Sequence, residues 1–194
     1  MTVKTRPFLI IMVFVLSIAL AGCASSVKRP PSSGSAASAV HMPSRVLLSP
    51  TDPAGDVSIN LSDKVKSKIA NDSKFNQDEL LAHVKRALET KDLLTSAATG
   101  PSKSIEIRIT SVRVRGTFSA VMWGFMAGAD SIGGDVTLRN ASGEPVDTFH
   151  VSVSYALGGF AGGQESTRMD WMYEKFAQET LKALTTGETT NKKG

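Results

Sequence analysis

Residues 104–115 read S-I-E-I-R-I-T-S-V-R-V-R. In an extended chain Ile105, Ile107 and Ile109 share one face, with Glu106 and Arg108 opposite. At Ser111 the alternation slips by one, and Val112 and Val114 take over. An uncorrected slip would turn every later side chain to the wrong face, so the pattern predicts a β-bulge near Thr110-Ser111. One aliphatic face and one charged face describe a strand covered on one side only, which argues for an antiparallel sheet.

The stretches that follow repeat the pattern. Ser131–Arg139 (SIGGDVTLR) turns Val136 and Leu138 inward. Asn140–Glu144 (NASGE) is a tight turn. Pro145–Tyr155 then places Phe149, Val151, Val153 and Tyr155 on one face and His150 on the wet face, with Thr148 and Ser152. Upstream, Arg45–Ser49 (RVLLS) reads as a first strand between Pro43 and Pro50. Thr51–Asp56 is a turn cluster. Val57, Ile59 and Leu61 alternate, then Leu61, Val65 and Ile69 recur every four, a change from strand to helix period or one irregular segment.

Two helices are plain. In Phe75–Leu94, Asn76 with Glu79 has capping-box chemistry, and Leu80, Leu81, Val84, Ala87 and Leu88 form the buried stripe. In Ser166–Leu184 the stripe is Met169, Met172, Tyr173, Phe176, Ala177, Thr180 and Leu184, and Gly187 stops it. Strand, helix, three strands, helix make an α+β two-layer sandwich: an antiparallel sheet of about four strands with two main helices on one face.

The amino-terminal region has another character. Lys4 and Arg6 precede Phe8–Leu20 (FLIIMVFVLSIAL), an apolar run too short for a bilayer span, which needs about 20 residues. Leu20-Ala21-Gly22-Cys23 follows and resembles the lipobox of bacterial prolipoproteins. The resemblance implies that residues 1–22 are a cleaved signal and that the Cys23 sulfur takes a diacylglycerol with palmitate-type chains. Ala24, in place of Asp, implies sorting to an outer membrane, with the domain facing the periplasm. Cys23 is the sole cysteine, so acylation would leave the fold without thiol or disulfide. Ala24–Ser44 is rich in Ser, Ala and Pro and reads as a flexible tether about 25 Å from end to end. The domain is then 45–186, and residues 187–194 form a disordered tail.

Several pieces of the domain resemble a known family. They are Arg113-Val114-Arg115-Gly116, an apolar segment ending Ala127-Gly128-Ala129-Asp130, the turn Asn140–Val146 and the glycine-rich Ala156–Gly163. Together they are similar to the domain-of-unknown-function 4410 lipoproteins over Arg45–Leu184. The resemblance implies an α+β envelope domain, distantly like those of curli-secretion and translocation proteins, and no catalytic residues.

Two glycine-rich apolar segments stand apart. Ser119–Gly134 contains Val121, Met122, Trp123, Phe125 and Met126 almost in succession, and Ala156–Gly163 contains Phe160. Strand directions put both at one end of the sheet, near the start of the last helix. They form a lid over the core, an exposed patch that docks on an envelope partner, a second copy or lipid, or the cover of a ligand-binding cleft.

Catalytic signatures are missing: no G-x-S-x-G, P-loop, H-E-x-x-H or paired-cysteine pattern occurs. His41, His83 and His150 fall in linker, helix and strand. Asp170 and Glu174, with Arg168 and Lys175 nearby, read as a solvated helix face. Asp130 and Asp135 around Gly133-Gly134 read as turn residues, with a weak cation site as the alternative. The net charge is +4, two of it from Lys4 and Arg6, and aromatics are 6%. Neither supports nucleic-acid binding. The expectation is a non-enzymatic interaction or assembly module, with neither cofactor nor metal. A periplasmic small-molecule or glycan-binding module is the alternative.

Overall fold

A computed structural model describes residues 23–30, 47–70, 74–95, 101–116, 128–156, 164–186 and 191–192. The strands are β1 (Cys23–Lys28), β2 (Ala54–Leu61), β3 (Lys103–Arg113), β4 (Asp130–Arg139), β5 (Pro145–Tyr155) and β6 (Asn191–Lys192). The helices are α1 (Asp63–Ile69), α2 (Gln77–Glu89) and α3 (Glu165–Thr186).

The central prediction holds. Ile105, Ile107 and Ile109 of β3 are buried, the register against β4 shifts between Ile109 and Ser111, and Val112 resumes the inward face. The bulge presses β3 against Gly134, where a Cβ would lie 3.1 Å from the Arg108 carbonyl oxygen. Ile132, Val136 and Leu138 of β4 and Phe149, Val151 and Val153 of β5 continue the apolar layer. Polar side chains take the opposite face, among them Arg108, Asp135 and His150, which adjoin in register.

The sheet is α+β as expected but mixed, not antiparallel, with five main strands in the order β2-β3-β4-β5-β1. β2 pairs parallel with β3. Alternation reports that one face is covered, not which way a neighbour runs. The connection carrying α1 and α2 is long enough to return the chain parallel. Helices therefore number three among the described residues.

Leu47–Ser49, the described part of the expected first strand, does not join the sheet. Leu47 and Leu48 are buried, but both backbone N–H groups donate to the Leu184 carbonyl. Their apolar run plugs the end of α3 instead of joining the sheet. The extra strand comes from the start of the expected tether. In C-A-S-S-V-K one apolar side chain suffices, because Cys23–Lys28 pair antiparallel with Tyr155–His150 and Val27 is buried. The Ser25 hydroxyl donates to Glu179 at 2.8 Å, and Arg29 pairs with Asp147 at 3.0 Å and lies over the Phe149 ring. Burial alone would raise the Glu179 carboxyl, but hydrogen bonds from Lys175 and Ser25 outweigh it and hold it below its ordinary value. Within the expected disordered tail, Asn191 and Lys192 pair with Ser26 and Ser25 and cover the middle of the outer edge of β1.

The helices pack on the apolar face. Asn76 caps α2, its Oδ1 accepting from the N–H groups of Asp78 and Glu79. The Asn76 N–H donates to the Tyr173 hydroxyl at 2.7 Å, tying α2 to α3. All seven residues of the expected α3 stripe are buried. Burial pushes the Tyr173 hydroxyl up to about 12.

Candidate functional site

Cys23 is exposed and opens β1, its Cα opposite Tyr155. Partial burial of the sulfur raises the pKa of the thiol, and partial burial is also the main cause of the same shift at the Tyr155 hydroxyl. The Tyr155 ring meets Trp171 edge-on, with centroids 5.2 Å apart, and both residues are partly buried. β3 ends and β4 begins at this same end of the sheet, and β5 leaves it for α3.

A buried ionic cluster holds these elements together. Asp130, the first residue of β4, has no exposed surface. Its Oδ1 accepts from the Arg115 backbone N–H at 2.6 Å, and its Oδ2 accepts from Arg168 Nε at 2.8 Å and Arg115 Nη2 at 3.2 Å. Arg115 also donates to the carbonyls of Gly128 and Tyr155, and Arg168 to that of Arg115. One carboxylate and two guanidiniums thus fix the ends of β3, β4 and β5 to the first turns of α3.

This overturns two expectations. Asp130 is not a turn residue or cation ligand, and Arg168 is not on a solvated face. Helical and strand periodicity treat a charge as exposed. They do not see that two distant charges neutralise each other on folding. The available signal was that Arg115 and Asp130 both stand in the segments that carry the family resemblance.

Asp135 lies inside β4, with His150 Nδ1 2.7 Å from its Oδ1 on the open sheet face. His83, in α2, is buried, with Asp170 and Glu174 of α3 at 3.1 and 3.2 Å. Those two carboxylates therefore serve the α2–α3 contact as well as solvent. Glu174 is held below the usual carboxylate range, first by Gln178 and then by His83. Among the described residues no three His, Cys, Asp or Glu side chains are grouped to hold a metal.

Val121, Met122, Trp123, Phe125, Met126 and Phe160 lie outside the described residues. Their described neighbours, Gly116 and Gly128 on one side and Ala156 and Gln164 on the other, belong to the Cys23 end. Away from that end, a groove of about 550 Å³ runs between Leu48–Pro50, Leu93 and Leu181. Among the described residues no helix is long and apolar enough to cross a membrane.

These features define a two-layer α+β domain whose sheet end is locked by a buried Arg–Asp–Arg cluster beside an exposed cysteine. The chain belongs to the family described as Domain of unknown function (DUF4410), whose model matches residues 36–159. No curated protein matches it. Among solved structures it is similar to the PelC dodecamer from Paraburkholderia phytofirmans. That likeness has 12% identity and a TM-score of 0.46, and covers 84% of this chain and 99% of that one. A minor lipoprotein from Acinetobacter baumannii is 16% identical with a TM-score of 0.31, over 66% of this chain and 91% of that one.

Proposed function

We propose that this protein is a lipid-anchored envelope lipoprotein whose domain acts without catalysis, as an interaction or assembly module. The observation that carries the reading is Leu20-Ala21-Gly22-Cys23 at the end of the apolar run Phe8–Leu20, with Cys23 exposed at the head of β1. A signal peptidase reaches such a site before folding, and the mature domain loses no buried thiol by acylation. Ala24 favours an outer membrane over an inner one. The partner is another envelope protein or a second copy of the chain, not nucleic acid.

The test is the intact mass and fractionation of the chain expressed in a bacterium that processes lipoproteins. A diacylglyceryl mass on Cys23, lost together with membrane association in Cys23→Ala, is the expected result. Unchanged mass and unchanged fractionation in that variant would refute it. Crosslinking the lipidated chain at the membrane then reads out self-association or a partner.

The apolar groove at Leu48, Leu93 and Leu181 favours a second reading, a small-molecule module. Its lining suits an apolar ligand better than a glycan, which needs convergent polar groups.

A further inference from the structure

Cys23 is itself a sheet residue, so no slack chain separates its sulfur from the fold. Side chains alternate along β1. Val27 is buried beneath the helices and Ser25 reaches Glu179 on α3, which puts Cys23 on that same side. Its neighbour there is Tyr155, whose ring rests against Trp171. The Arg115–Asp130–Arg168 cluster clamps the carbonyl of Tyr155, so cysteine, tyrosine and tryptophan belong to one rigid end.

A lipid on a long tether would leave the domain any attitude toward its membrane. A lipid on the sheet does not, because the sulfur must lie within a glyceryl group of the bilayer. We propose that the domain stands on a phospholipid surface by this end. Tyr155 and Trp171 sit at headgroup depth, the strands run steeply to the membrane and the Asn140–Glu144 turn points away. Amphipathic aromatic rings suit that depth. β5 has 11 residues, which holds the far turn roughly 35 Å from the surface. The orientation rests on the acylation of Cys23 proposed above.

The test uses the full lipidated chain in vesicles of phosphatidylethanolamine and phosphatidylglycerol. Acylation blocks the sole native cysteine, so one introduced by Ser166→Cys, in the first turn of α3, or by Ser142→Cys, in the far turn, takes a fluorophore alone. Both positions are exposed, so neither change threatens the fold. Headgroup-quencher lipids should dim the probe at 166 several-fold more than that at 142, and aqueous iodide should do the reverse. Equal quenching at both sites, or stronger lipid quenching at 142, overturns the orientation. Mass separates the two ways of failing. An unacylated Cys23 removes the anchor and the orientation together, whereas an acylated chain with equal quenching removes the orientation alone.

Discussion

The two ends of the sheet are closed by different means. At the far end, β4 turns into β5 through five consecutive residues. Asn140 Oδ1 accepts from the N–H groups of Ser142 and Glu144, and Gly143 takes a φ of +82°. At the Cys23 end, the closure joins Arg115, Asp130 and Arg168, from three separate parts of the chain, in a site without water-exposed surface around the carboxylate. The first closure is local and solvated; the second is long-range and desolvated. Energy follows that difference. A solvated turn loses little when one residue changes, because water replaces what is lost. A buried cluster leaves charges stranded.

The sharpest way to break this comparison is Asp130→Ala. It strands two buried guanidiniums and should cost about 3–5 kcal/mol, read as a lowered urea midpoint. A loss below about 1 kcal/mol would mean that both arginines swing into solvent, and the ends would no longer differ in kind. Val27→Ala comes next. If β1 is part of the cooperative unit, truncating this fully buried side chain costs about 2 kcal/mol. If β1 is a loosely docked tether, the unfolding transition does not move.

Tyr173 sharpens the comparison from the helix layer. Its folded pKa is raised to about 12 from an ordinary 10, so the native state holds a proton that the unfolded chain releases first. Its contribution is therefore fully present below pH 10 and is lost as pH rises from 10 toward 12. Denaturant titrations should show stability falling across that window, and less steeply in Tyr173→Phe. The variant should also begin about 1 kcal/mol lower, because the Asn76 N–H loses its acceptor.

What could be read from the sequence divides along the same line. The bulge at Thr110-Ser111, the Asn76 cap, the α3 stripe and the Asn140–Glu144 turn are short-range patterns, and each is where its residues put it. The parallel β2–β3 pair, the strand at Cys23–Lys28 and the Asp130 cluster depend on partners far along the chain. C-A-S-S-V-K has the composition of a linker and becomes a strand because β5 offers an open edge and Glu179 an acceptor for Ser25, while Arg29, just past the strand, pairs with Asp147. Of the candidate site, Cys23 was legible from the four residues ending in it. The rigidity of its surroundings was not, since a buried Arg–Asp pair looks like two surface charges until the fold joins them.

An effect as small as that of Tyr173→Phe is expected at the far turn. Gly143 sits at φ +82°, where an L side chain is strained, yet a Cβ there would meet nothing within 4 Å. Gly143→Ala therefore tests backbone conformation alone, with no clash mixed in. The expected loss is about 1 kcal/mol, the difference between glycine and other residues in the left-handed region. The Asn140 side-chain bonds should survive, because their donors are Ser142 and Glu144. Urea titration beside Asp130→Ala sets the two ends on one scale. A Gly143→Ala loss equal to that of Asp130→Ala would show that the turn is coupled to the core after all. A loss several-fold smaller leaves the desolvated end as the one that carries the fold.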